Sequence, residues 1–167
     1  MLSATELREQ LTSGLDQMSD KDAHEAFSER LDSFLEENGI MSIAYATSND
    51  RLWIGTRSGL AYLSEDKGHI KYLDKMRGSI VYTLTIDESG DVWIGDFNNG
   101  LIHMDGQTNE VKNQWQMGSI TKIEIDTDGF AWAGTMEGLL RVNKHSGELL
   151  NLYSLKIPMT KLFLYSV

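Results

Sequence analysis

Asp87-Glu88-Ser89-Gly90-Asp91-Val92-Trp93-Ile94-Gly95-Asp96-Phe97-Asn98-Asn99-Gly100-Leu101 is the stretch from which the fold can be read. It joins a glycine turn, an apolar run and a second glycine turn. Gly90 and Gly100 supply backbone freedom at the two reversals. Between them, Trp93 and Ile94 are adjacent, so in a strand they point to opposite faces, yet both are large and apolar. Such a strand has to be covered on both sides. Ser79–Ile86, Asp91–Asp96, Leu101–Met104 and Glu110–Gln116 then read as four short strands separated by turns.

The same string recurs. Trp53, Trp93 and Trp132 are spaced 40 and 39 residues apart, and each opens Trp-x-Gly: Gly55, Gly95 and Gly134. Gly59-Leu60, Gly100-Leu101 and Gly138-Leu139 follow. Nine and seven residues before each tryptophan lie apolar pairs, Ala44 and Ala46, Leu84 and Ile86, Ile123 and Ile125; one further step of 39 reaches Leu162 and Leu164. Four antiparallel strands per repeat of about 40 residues describe a β-propeller blade. The expected fold is mainly β: an incomplete propeller of three four-stranded blades plus a partial fourth. Blade spans are about 40–78, 79–118 and 119–157, with the fourth starting at 158–167 and the whole propeller region covering 40–167. Trp53, Gly55, Trp93, Gly95, Trp132 and Gly134 are assigned to packing between blades.

Residues 1–38 differ. Ser3-Ala4-Thr5-Glu6 matches a capping box, and Leu7, Leu11, Leu15 and Met18 follow at helical spacing. Ala23, Phe27, Leu31, Phe34 and Leu35 continue in a second helix that Gly39 ends. An N-terminal helical hairpin is the expectation.

Asp-x-x-Gly-x-x-Trp-x-Gly, followed by Gly-Leu, resembles the two-component regulator propeller repeat. It fits Asp87–Leu101 and Asp126–Leu139 and departs in the first copy, where Thr47-Ser48-Asn49-Asp50 stands in place of Asp-x-x-Gly. The resemblance implies a sensor region of a bacterial hybrid kinase or related receptor, lying outside the membrane and detecting small molecules such as saccharides.

Composition bounds the remaining classes. Hydrophobic residues make up 41% of the 167, enough for a core. A net charge of −10 argues against nucleic-acid or anionic-membrane binding. With no cysteine there is neither a disulfide nor a thiol nucleophile. Met1–Glu6 shows no signal peptide as written, so the address is cytoplasmic on that reading, or periplasmic within a family-type sensor. Asp126-Thr127-Asp128-Gly129 begins like a calcium loop without the glutamate that completes one. Aspartate capping its own turn is preferred, and neither a metal nor a cofactor is expected. The histidines, His24, His69, His103 and His145, read as surface or edge-strand residues. No nucleophile elbow or phosphate loop occurs, so catalysis is not expected.

A ligand would meet the loops between second and third strands: Arg57, Phe97, Asn98, Asn99, Met136 and Glu137. Their variation suits a loop-borne function and equally suits drift of exposed loops. A sensory or ligand-binding module within a larger receptor is the leading expectation. An interaction scaffold, completed by oligomerisation through open blade edges or by a partner, is the alternative. Three blades cannot close a ring, so a longer chain, a second copy, or helices folded over the open end are the ways of covering the open faces.

Overall fold

The computed structural model describes Ser33, Phe34 and residues 38–64 and 69–154; of residues 64, 69 and 151–154 the backbone alone is described. Turn residues at the expected places fold each apolar run back on the one before it. The first blade contains β1 (Ile40–Ala46), β2 (Arg51–Thr56), β3 (Leu60–Ser64) and β4 (His69–Tyr72). The second contains β5 (Val81–Ile86), β6 (Val92–Asp96), β7 (Gly100–Met104) and β8 (Val111–Trp115), and the third β9 (Ile120–Ile125), β10 (Phe130–Thr135), β11 (Gly138–Asn143) and β12 (Leu149–Ser154). Each is a four-stranded antiparallel meander with neighbours in chain order. This is the incomplete propeller expected. The partial fourth blade and most of the helical hairpin lie outside the described residues, although Ser33, Phe34 and Asn38 are helical.

Cores form between blades. Trp53, Leu60 and Tyr62 meet Val92, Ile94, Ile102 and Met104 of the second blade. On the far side of that blade, Trp93 and Leu101 meet Ala131, Ala133, Leu140 and Val142 of the third. The middle blade is therefore buried along all of β6 and β7. In the third blade the pattern alternates, with Phe130, Trp132 and Leu139 half-buried on the face turned from the second blade. The outer face of the first blade carries Ile54 and Ala61, covered by the buried Phe34. Phe34 also meets the Tyr72 ring at 5.3 Å, and Asn38 Nδ2 donates to Tyr72 Oη at 2.9 Å.

Glycine in Trp-x-Gly makes room for the following blade. A Cβ on Gly55 would lie 2.6 Å from Val81 Cγ1, and one on Gly95 would lie 2.8 Å from Ile120 Cγ2. Both neighbours begin the first strand of the next blade.

One spacing match fails. Ala44 and Ala46 pack with Trp53 toward the second blade, whereas Leu84 and Ile86 face the preceding blade. The cause is the first hairpin. Ala46 pairs with Arg51 across residues 47–50, while Ile86 pairs with Val92 so that Asp87 and Asp91 close a turn of residues 88–90. The extra turn residue slides β1 by one, and a slip of one residue turns every side chain to the other face. Ile43, opposite Ile54, takes the place that Leu84, opposite Ile94, holds in the second blade.

Candidate functional site

Two ends of the blades carry different chemistry. At one end the repeated aspartate clasps its own hairpin. Asp87 Oδ1 accepts from the backbone N–H of Ser89 (2.9 Å) and Asp91 (3.1 Å), and Oδ2 accepts from Trp93 Nε1 at 3.1 Å. Asp126 repeats the arrangement with Asp128 N–H (3.0 Å), Phe130 N–H (2.8 Å) and Trp132 Nε1 (2.7 Å). The indole donor, followed by the Phe130 amide, lowers the Asp126 pKa. Turn capping was readable from the sequence; the bond to the tryptophan six residues later was not. In the first blade the slipped register puts Ala46 where the aspartate would stand, and Trp53 Nε1 is buried with no partner among the described residues.

The residue paired across from each tryptophan varies: Tyr62, His103 and Arg141. Tyr62 tilts against Trp53 at 5.0 Å, His103 stacks on Trp93 at 4.1 Å, and the Arg141 guanidinium lies 5.0 Å from the Trp132 centroid. His103 is thus in the core at 3% exposure, and the surface expectation for it was wrong. Its neighbour on β7, Met104, is buried too, because the middle blade has another blade on each side. His145 is exposed and His69 lies on the edge strand β4, as read; His24 lies outside the described residues.

His103 Nε2 lies 3.0 Å from Asp91 Oδ2, and Lys112 Nζ lies 2.8 and 2.7 Å from the two Asp91 oxygens. Asp105 Oδ2 is 3.2 Å from the same ammonium. Burial lowers the His103 pKa against the raising influence of Asp91 and Asp87, while hydrogen bonding to Asp91 raises that of Lys112. The backbone N–H groups of Thr108 and Gln107 hold the Asp105 carboxyl well below the usual carboxylate range. Asp87, Asp91 and His103 offer ligand atoms within 4.8 Å of one another, a grouping that the one-histidine-per-unit reading missed. The donor set does not suit a cation well: Lys112 already sits on Asp91 and supplies positive charge there, and both Asp87 oxygens accept from N–H donors. The cluster acts as an electrostatic tie between the hairpins of the second blade.

The opposite end carries the loops singled out from the sequence. Asp96 stands where the other repeats have Thr56 and Thr135, whose hydroxyls donate to Gly59 O (2.9 Å) and Gly138 O (3.1 Å). Asp96 Oδ1 instead accepts from the N–H groups of Asn98 (2.8 Å) and Asn99 (2.7 Å) and from Asn99 Nδ2 (2.9 Å). Its Oδ2 is buried without a partner among the described residues. The turn so fixed presents Phe97, 43% exposed, beside Tyr82, 38% exposed, with ring centroids 5.8 Å apart. Tyr82 is the residue skipped in the β5–β6 register between Val81 and Thr83. A bulge of this kind re-aims a side chain out of the sheet alternation. Tyr82 was missed because register cannot be read from residue type.

Phe97, Asn98 and Asn99 therefore form one surface with Tyr82. Asn99 Nδ2 also donates to Ser79 Oγ at 3.2 Å, and Ser119 Oγ donates to Phe97 O at 2.9 Å, tying the turn to both inter-blade connectors. Arg57 is exposed on the corresponding turn of the first blade, where its N–H donates to Asn38 O at 3.1 Å. Met136, 79% exposed, and Glu137 occupy the turn of the third. Among the described residues no hydrogen bond joins these three turns to one another.

No family model matches the chain, and no curated protein matches it. Solved structures do, and they are propellers. The WD40 repeats of RRP9 superpose with a TM-score of 0.59 at 10% identity, over 69% of this chain and 38% of that one. Virginiamycin B lyase from Staphylococcus aureus gives 0.58 at 18%, over 71% and 42%. The extracellular domain of a putative hybrid two component system from B. thetaiotaomicron gives 0.58 at 18%, over 70% and 17%. The chain spans less than half the length of each. At these identities the likeness is one of fold.

Proposed function

We propose that this chain is a non-enzymatic sensory propeller module that binds a small polar molecule on its loop end, as a segment of a larger bacterial signal-transduction receptor. The exposed Tyr82–Phe97 pair beside the Asn98 and Asn99 amides carries the reading. Two tilted aromatic faces with amide donors and acceptors at their rim suit the apolar face and hydroxyl edge of a saccharide. Arg57, Met136 and Glu137 are the further contacts proposed on neighbouring blades. The fold likeness to a hybrid two component system's extracellular domain, together with the Trp-x-Gly repeat, supports the sensory assignment. The hairpin aspartates are engaged in holding the scaffold.

The test is thermal shift of the full chain against a panel of mono- and oligosaccharides, repeated with Phe97→Ala and Asn98→Ala. Saturable stabilisation that both variants abolish supports the proposal; a silent panel, or a shift the variants leave intact, removes it. A protein–protein scaffold is the second reading, favoured by the 79% exposed Met136 and the likeness to WD40 repeats.

A further inference from the structure

Positive charge gathers on one seam of an acidic chain. Arg57 stands on the turn after β2, and Lys75 and Arg77 stand on the connector from the first blade to the second; all three are exposed. Arg77 Nε lies 2.7 Å from Asp74 Oδ1. The charged groups of Arg57 and Lys75 have no partner among the described residues. With 15 basic residues against 25 acidic ones in the sequence, three cations facing one aspartate run against the overall balance. The second and third blades have no counterpart: Phe97 and Met136 take the place of Arg57, and their connector reads Gln116-Met117-Gly118-Ser119, without a charge.

Hydrogen bonds make the seam one surface with the aromatic turn. Gly78 N–H donates to Ser58 O at 2.9 Å, joining the connector to the Arg57 turn. Further along the same connector, Ile80 O accepts from Phe97 N–H at 2.9 Å and Ser79 Oγ accepts from Asn99 Nδ2 at 3.2 Å. Val81 packs where a Cβ on Gly55 would stand. Arg57, two residues beyond Gly55, and Tyr82, one beyond Val81, therefore flank a point of direct contact. The Arg57 stem is itself seated, with Cδ 3.2 Å and Nε 3.5 Å from the position a Cβ on Gly39 would take.

We infer that this seam binds an acidic group, so that the ligand is an anionic saccharide bearing a carboxylate or a sulfate. The inference rests on the saccharide reading of the proposed function and deepens it. The planar fork of Arg57 suits two oxygens of such a group, while Lys75 and Arg77 add charge beside it. The sugar ring would lie on the Tyr82–Phe97 pair. The Asp96 carboxylate does not oppose this, because it is fully buried under the turn and its Oδ1 accepts three hydrogen bonds.

Calorimetric titration of the full chain with uronate and sulfated oligosaccharides, each beside its neutral parent (the methyl ester or the desulfated sugar), tests the inference. The acidic member is expected to bind about tenfold more tightly. Arg57→Gln should reduce that ratio to about twofold, and raised ionic strength should shrink it too. Phe97→Ala should weaken both members of a pair. Equal affinity within every pair, or a ratio that Arg57→Gln leaves intact, overturns the anionic assignment and leaves the saccharide reading standing. Binding by no member overturns both. Should Arg57→Gln fail to fold, as checked by circular dichroism, Lys75→Gln decides: the ratio should fall about twofold, and an unchanged ratio overturns the inference.

Discussion

Replacing Asp87 by alanine tests the reasoning about the hairpin clasp most directly. The carboxylate serves Trp93 Nε1 at 3.1 Å, Asp91 N–H at 3.1 Å and Ser89 N–H at 2.9 Å. Trp93 is fully buried and Asp91 is buried as well, so neither donor can turn to water once the acceptor is gone. Stranding a buried donor costs about 1–3 kcal/mol, and two of them set the loss near 3 kcal/mol. The Ser89 amide lies at an exposed turn and adds little. For a domain of this size 1 kcal/mol moves Tm by roughly 2–4 °C, so Asp87→Ala is expected to melt about 9 °C lower by calorimetry or circular dichroism. Asp126→Ala supplies the internal comparison. It removes the corresponding three bonds, but Trp132 and Phe130, unlike Trp93 and Asp91, are only half-buried, so water replaces much of what is lost. Its Tm should fall by distinctly less. If the two variants fall equally, or Asp126→Ala falls further, burial of the indole is not what gives the clasp its value. Trp53, whose indole already lacks an acceptor, shows that the fold tolerates one such donor.

Further outcomes follow from the same geometry. His103 has a pKa lowered by burial, so its neutral form belongs to the folded state; stability should be full above the unfolded value of 6.5 and fall as pH drops below it through the folded pKa. Melting between pH 7 and pH 5 should show this decline, flattened in His103→Phe, and an equal slope in both proteins would refute it. Gly95→Ala places a methyl 2.4 Å from Thr83 Cγ2 and 2.8 Å from Ile120 Cγ2, an overlap expected to cost about 2 kcal/mol by denaturant unfolding. Arg51→Ala should cost about 2 kcal/mol, because Arg51 Nη1 donates to Gly106 O at 2.7 Å and Asn109 Oδ1 at 3.1 Å, and the guanidinium lies 4.5 Å from the Tyr62 centroid. Arg51→Lys should recover only part of that, since the ammonium lacks the planar guanidinium that lies over the Tyr62 ring.

How far the sequence could be read differs between scaffold and site. Trp-x-Gly at steps of 40 and 39 located all three blades, because a residue that must fill an inter-blade core recurs wherever the core does. Asp87 and Asp126 could be read as turn caps from their distance to Gly90 and Gly129. Their hold on Trp93 and Trp132 could not, since it depends on two side chains meeting over a hairpin. Ala44 and Ala46 matched Leu84 and Ile86 by spacing and still face the other way, because one extra turn residue changes register without disturbing composition. Of the aromatic pair on the loop end, Phe97 was found from its place in a turn; Tyr82 was hidden in an alternating strand until the bulge turned it outward.

The sequence by itself determined the repeat and the four strands of each blade, since those follow from local period and turn chemistry. Only tertiary structure decided what each blade meets. Stacking buried His103 against Trp93 and Asp91, left the Trp53 indole without an acceptor among the described residues, and laid Phe34 over the first blade. Contacts across blades join residues about 40 positions apart whose side chains carry no mark of their neighbour, and the register of single hairpins settles which of them touch.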